Sequence, residues 1–282
     1  MLVENNVKSV CGSMNDRNDR IGEALASSGN NNERNGRACP SSGLVICCGE
    51  GADRDAALVL SKHIGAPLSD TPGDELTLEV DSTGLSLVGY GMRFQGDFSR
   101  MLNRVAKGRL YHEMLVRIAK TKSEHPIAVD AAAGMGEDAF LLAAAGYEVL
   151  LFEKDPVIAA LLKDAMRRAE DDPNLREIVG RMRLTEGDSI ELTPQITAKP
   201  EIVYLDPMFP PRKKSGLINK KLQLIQKLEQ PCADETALFN AAVALKPKKI
   251  IIKRPLHSGF LADKKPSYTV KGKAIRYDVV VI

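Results

Sequence analysis

The chain of 282 residues contains no apolar run near the roughly 18 residues that a membrane span requires. Its first residues, Met1 to Asn6, lack the basic stretch and apolar core of an export signal. A cytoplasmic protein with no membrane partner is expected. The five cysteines (Cys11, Cys39, Cys47, Cys48, Cys232) form no Cys-x-x-Cys pair and no zinc spacing with histidine, so buried, reduced thiols are expected. The four histidines share no spacing, which leaves neither a metal site nor a catalytic histidine to propose. No internal repeat is present. Net charge is only +2, so the chain is not globally basic, and any contact with nucleic acid must come from a local patch.

With 44% hydrophobic and 27% charged residues, the chain has the balance of a soluble globular protein of one large or two ordinary domains. Residues 1–40 are rich in Asn, Ser, Gly, Arg and Asp, and read as a flexible polar tail. Residues 41–97 read as a small α/β element: an apolar strand at Leu44–Cys48, a helix from Ala52 to His63, and a hairpin around Asp81-Ser82-Thr83-Gly84. A connecting, mostly helical segment spans 98–125. From 126 to 282, short apolar strands alternate with helical patterns, and a terminal antiparallel pair closes the chain. This alternation predicts an α/β, doubly wound, largely parallel Rossmann-like sheet.

Four acidic positions stand at the ends of expected strands, where open α/β sheets bind ligands. Asp130 precedes Ala131-Ala132-Ala133-Gly134-Met135-Gly136, a turn into a helix. Gly134 and Gly136 let backbone approach a ligand, and the helix start offers N–H groups. Glu153 ends the next strand, about 20 residues on, where an acid binds ribose hydroxyls. The third glycine of a dinucleotide fingerprint is missing, since Gly136 is followed by Glu137-Asp138-Ala139. A single nucleoside therefore fits better than a dinucleotide. Asp188, with Ser189, stands where a carboxylate would meet an adenine amine; the alternative is a turn residue.

Asp206 follows the apolar run Ile202–Leu205 and opens Asp206-Pro207-Met208-Phe209-Pro210. Two prolines stiffen this turn. Its carboxylate would accept from an exocyclic amine while Phe209 stacks on a planar base. The basic clusters Arg212-Lys213-Lys214 and Lys253-Arg254 flank this loop and read as holders of an RNA backbone, or as solvated charge. Arg100, Arg104, Lys107 and Arg109 would extend that surface or simply face solvent.

The strings from Val129 to Phe140, from Val203 to Pro210 and from Ile252 to Pro255 resemble the ribosomal RNA small subunit methyltransferase J family, within the class I S-adenosylmethionine-dependent methyltransferases. The chain differs from the usual family pattern in Ala132, Glu137 and Lys154. The resemblance implies S-adenosyl-L-methionine as cofactor, with contacts at Glu137, Asp138, Glu153, Lys154, Asp188, Ser189 and Asp206. It implies methyl transfer to N2 of a guanine in 16S rRNA, either free or in the small subunit, with Asp206, Pro207 and Phe209 at the acceptor. The residues by themselves also admit another RNA base, a protein amide, or a non-catalytic RNA-binding protein.

Overall fold

The computed structural model describes residues 43–207, 224, 225, 227, 228 and 232–282. The expected tail, most of the helix expected over 217–229, and the expected site residues Phe209, Arg212, Lys213 and Lys214 lie outside these residues.

Strand β1 (Leu44–Cys48) leads into helix α1 (Arg54–Ile64), which begins two residues later than its pattern suggested. Asp53 is the reason: its carboxylate accepts from the N–H groups of Asp55 and Ala56 and so caps the helix. Strands β2 (Leu68–Ser69), β3 (Leu76–Asp81), β4 (Gly84–Gly89) and β5 (Met92–Phe94) complete a five-stranded sheet in the order β2-β1-β3-β4-β5. The β3–β4 hairpin forms where expected. Asp81 accepts from the backbone N–H and the hydroxyl of Thr83, and Gly84 takes a positive φ of 121°. A side chain at Gly84 would collide with Asp164 and Arg168, because the hairpin is pressed against a helix of the second layer.

The segment after this sheet is not one helix. It is a 3-10 turn at Phe98–Met101, a short α2 (Leu102–Val105), a second 3-10 turn at Leu110–His112 and α3 (Met114–Ala119). Ala106 leaves the helical region and Gly108 adopts a φ of 82°, so the amphipathic pattern is folded back on itself. Leu102, Val105, Leu110 and Met114 thereby all reach one core.

The second sheet contains β6 (Ile127–Asp130), β7 (Glu148–Glu153), β8 (Met182–Glu186), β9 (Ile202–Leu205), β10 (Lys249–Pro255), β11 (Tyr268–Lys271) and β12 (Ile275–Val281). Their order is β11-β12-β10-β9-β6-β7-β8. Strands β6 to β10 are parallel, and β12 runs against both β10 and β11. The helices are α4 (Glu137–Ala144), α5 (Pro156–Glu170), α6 (Arg176–Val179), α7 (Ser189–Leu192) and α8 (Glu235–Ala244).

Side chains alternate between the two faces of this sheet, as the two-residue strand period requires. Ala128, Val149, Leu151, Tyr204 and Ile251 join a core with α3, α4 and part of α5. Val129, Leu150, Phe152, Val203 and Ile252 face α7 and α8. This is the doubly wound arrangement. Helix α5 serves two cores: Leu162, Ala165 and Ala169 pack toward the large sheet, while Val157, Ile158 and Leu161 pack with the small one. The chain winds from β6 outward to β7 and β8, then returns to β9 and β10 on the other side. The direction reverses between β6 and β9, and a crevice for ligands opens at the carboxyl ends of strands at such a point.

Candidate active site

Asp130 ends β6 and Asp206 follows β9, so both border this reversal point. Asp130 is buried and accepts from the N–H of Ala132 at 3.2 Å. Burial pushes its carboxyl well above the ordinary range; the Ala132 N–H opposes the shift, and the nearby carboxylates of Asp138 and Asp206 add to it.

The turn after Asp130 is tied to the neighbouring strand. The N–H of Ala133 donates to the carbonyl of Phe152, and that of Gly134 donates to Glu153 Oε2 at 2.8 Å. Gly136 has a φ of 74°, and a Cβ there would lie 2.8 Å from Leu162 Cδ1. Glycine at this position therefore lets α4 start against α5 and keeps the loop low over the crevice. Glu153 is buried, and its second oxygen accepts from the N–H of Asp155 at 2.8 Å. Burial raises its carboxyl to about 7, against the pull of the Asp155 and Gly134 N–H groups. Lys154 is exposed beside it, and Asp155 caps α5 through the N–H groups of Val157 and Ile158. Pro156 takes the first helical position.

The next strand end is joined to Glu153 by the Gly187 N–H, which donates to the Glu153 carbonyl at 2.8 Å. Asp188 caps α7 by accepting from Ile190 N at 2.9 Å, and Ser189 is buried. One carboxylate oxygen of Asp188 thus has the local role that its turn context allowed.

Asp206 meets a partner that its motif did not reveal. Lys253, one residue past Ile252, which pairs with Leu205, donates to Asp206 Oδ2 at 2.8 Å and to Asp138 Oδ2 at 2.7 Å. The Tyr204 hydroxyl donates to the same Asp138 oxygen at 2.6 Å. Three elements, β9, β10 and the start of α4, therefore converge on one network. The side chains of Asp138, Asp206 and Lys253 keep 19, 28 and 26% of their surface, so the network is reached from the crevice rather than sealed below it. Burial raises the Asp206 carboxyl, Lys253 pulls it back, and Asp138 raises it. Burial works against the charge of Lys253, but the two carboxylates prevail and hold it above the ordinary lysine range. Pro207 is buried behind Asp206.

This geometry corrects two expectations. Lys253 is occupied between two carboxylates rather than presented to an RNA backbone. Arg254 is only 5% exposed, with Nη1 2.9 Å from Glu235 Oε1 and Nε 3.1 Å from the Gly259 carbonyl. Successive residues of β10 point to opposite faces, so Arg254 turns toward α8 when Lys253 turns toward α4. Glu137, expected near the cofactor, is exposed, with Arg104 Nη1 3.9 Å away. Asp138 lies in the network instead. Tyr204 was missed because it reads as an apolar strand residue; its signal was adjacency to Asp206. Among the described residues no group of three or more His, Cys, Asp or Glu could hold a metal ion, and no helix is long and apolar enough to cross a membrane.

The donor set suits a nucleoside with a charged amino-acid tail: the buried strand-end acid Glu153, backbone held close by Gly134 and Gly136, and the carboxylates of Asp138 and Asp206. The comparisons agree. Residues 66–282 match a family described as "Putative SAM-dependent methyltransferase". The ribosomal RNA small subunit methyltransferase J of Thioalkalivibrio sulfidiphilus is 37% identical over 238 residues, covering 81% of this chain and 93% of that protein. The protein of the same name from Pseudomonas aeruginosa is 36% identical over 244 residues, covering 84% and 92%. The crystal structure of a SAM-dependent methyltransferase from Neisseria gonorrhoeae superposes with a TM-score of 0.66 at 29% identity, covering 84% of this chain and 95% of that one. The doubly wound fold is thus that of an S-adenosylmethionine-dependent methyltransferase, and the chain belongs to the ribosomal RNA small subunit methyltransferase J family.

Proposed function

We propose that this enzyme methylates the exocyclic N2 of a guanine in 16S rRNA, within the small ribosomal subunit or its free RNA. The observation that carries the reading is the Asp206 carboxylate, held at the reversal point by Lys253 and within one network with Asp138 and Tyr204. The names of the relatives support ribosomal RNA as the substrate class. The reading implies a cytoplasmic protein.

In this reading Glu153 holds the ribose hydroxyls, Asp188 and Ser189 border the adenine, and the loop from Asp130 to Asp138 borders the amino-acid end, with Lys154 at the rim. S-adenosylmethionine, when bound, supplies an electrophilic methyl group on a sulfonium. The guanine N2 lone pair is delocalised into the ring, so the amine is a weak nucleophile. Asp206 would accept a hydrogen bond from one N–H, direct the lone pair of the nitrogen and take up the proton released as the N–C bond forms and the S–C bond of the methyl donor breaks. Lys253 fixes the carboxylate that does this, so positioning and electrostatics supply the catalysis. Pro207 stiffens the loop, and Phe209 supplies the stacking ring. The target base has to leave its stack to reach the crevice. Arg212, Lys213 and Lys214 follow in sequence as phosphate contacts.

The test is transfer of labelled methyl from S-adenosylmethionine to small subunits, in parallel with a protein extract, followed by nucleoside mapping. Labelled N2-methylguanine in 16S rRNA is the expected product. Label in another base, or confined to protein amides, would refute the reading.

A further inference from the structure

Residues 100–122 contain seven arginine or lysine side chains and one carboxylate, Glu113, in a chain whose net charge is only +2. That single carboxylate is already neutralised. Arg104 grips it with Nε at 2.8 Å and Nη2 at 2.9 Å. Lys107 and Arg109 remain exposed in the turn that breaks the segment, and Tyr111 beside them leaves 62% of its surface in solvent.

A second basic element reaches the same place. Strand β11 runs in the same direction as β10, because both are antiparallel to β12. The tip of the β11–β12 hairpin therefore stands at the end of the sheet where the crevice opens. Lys271 pairs with Arg276, which pairs with Arg254, so Lys271 sits two strand spacings, about 10 Å, from the residue next to Lys253. Gly272 lies against Met114: a Cβ on it would come within 2.6 Å of the Met114 Cε. Met114 opens α3 two residues after the turn that carries Tyr111. Lys271 and Lys273, both exposed, thus flank the point where the hairpin meets the segment that carries Lys107, Arg109 and Tyr111.

Lysines on an edge hairpin can serve only to prevent pairing with another edge. That role does not account for Lys107 and Arg109, which lie outside the sheet, or for an exposed tyrosine among them. We propose that this rim docks a single-stranded stretch of RNA flanking the target nucleotide, with the basic side chains on phosphates and the Tyr111 ring stacked on a base. The proposal rests on the reading of the substrate as ribosomal RNA. Charge complementarity beside the acceptor carboxylates selects RNA as the occupant, and a sequence-tolerant combination of basic groups and an aromatic face is how single strands are held.

The test uses the full chain and a labelled single-stranded RNA, with binding measured by anisotropy over a salt series. The variants are Lys107→Glu with Arg109→Glu, Lys271→Glu with Lys273→Glu, and Tyr111→Ala. Each double reversal is expected to weaken binding at least about tenfold and to flatten the salt slope by about 1 to 1.5, from roughly 0.7 per phosphate contact. Tyr111→Ala is expected to weaken binding by about five- to a hundredfold with the slope unchanged. S-adenosylmethionine affinity stays at the wild-type value in all three. Wild-type binding and slope in the variants, or no RNA binding by the wild type, would overturn the proposal. Methyl transfer to small subunits is measured in parallel. Normal transfer by the wild type with unaffected variants removes the docking surface and leaves the substrate reading. RNA binding through the rim with label only on protein refutes the substrate reading and, with it, docking beside a target nucleotide.

Discussion

Lys253 donates to Asp206 at 2.8 Å while the same ammonium lies 2.7 Å from Asp138, so a single cation joins the acceptor loop to the first turn of α4. The carboxylate proposed to meet the substrate amine is therefore held from the side of the loop between β6 and α4. Any change to one of the three charged groups is felt by the other two.

Removing the carboxylate should stop chemistry and leave the fold. In Asp206→Ala, Lys253 keeps its Asp138 partner, and the buried strand β9 is untouched. We expect turnover to fall by about 10²–10⁴-fold, the range for loss of a positioned proton acceptor. Cofactor affinity by calorimetry should remain within a few fold. Turnover near wild type would refute the role of Asp206.

Lys253→Met removes the cation and leaves two partly buried carboxylates facing each other. Losing one partner of a fully buried pair costs about 3–5 kcal/mol, and the solvent that reaches this network reduces the expected loss to about 2–3 kcal/mol. The acid limb of the rate against pH should also move to higher pH, because Lys253 lowers the Asp206 carboxyl. Denaturant unfolding and a kcat profile from pH 5 to 9 check the two effects separately.

Glu153 predicts opposite pH dependences for the free protein and for cofactor binding. Burial raises its carboxyl from 4.5 to about 7 in the folded chain. The folded state therefore binds more protons than the unfolded state between these values, and this contribution to stability is full below pH 4.5 and is lost as pH rises through 7. Ribose hydroxyls need the ionised acceptor, so cofactor affinity should fall by about tenfold per unit below pH 7. Calorimetric titration at pH 6, 7 and 8 measures this. A flat profile would exclude Glu153 as the ribose ligand.

Gly136→Ala should lower both stability and cofactor affinity. The new Cβ meets Leu162 at 2.8 Å with a φ of 74°, so α4 must move away from α5. A loss of about 1–3 kcal/mol is expected from overpacking and backbone strain together. Thermal unfolding with and without S-adenosylmethionine checks it.

Much of the frame was readable without coordinates. Asp130, Glu153, Asp188 and Asp206 were recognisable because each interrupts or follows an apolar strand, and in a parallel sheet such interruptions all fall at one end. The hairpin at Asp81–Gly84 was readable because Asp and Gly satisfy its turn locally. The segment from Phe98 to Lys120 is mostly helical, as expected, but it is divided into short pieces. Its apolar spacing suits a helix, but the core accepts Leu102 and Met114 only after the chain breaks near Gly108.

The roles of Lys253 and Arg254 mark the division. Residue order alone determined the alternating strands, the acids at their carboxyl ends and the glycines between β6 and α4, because these depend on local periodicity and backbone freedom. Only the tertiary structure decided which charges meet. Lys253 is 115 residues from Asp138, and they touch because β9 and β10 are neighbours and α4 begins over them. Arg254, its neighbour in the chain, is turned by the pleat of the same strand into a buried pair with Glu235. A basic dipeptide that reads as one surface patch is split by the strand into a cation paired with Asp138 and Asp206 and a buried one paired with Glu235, because consecutive side chains of a strand point to opposite faces.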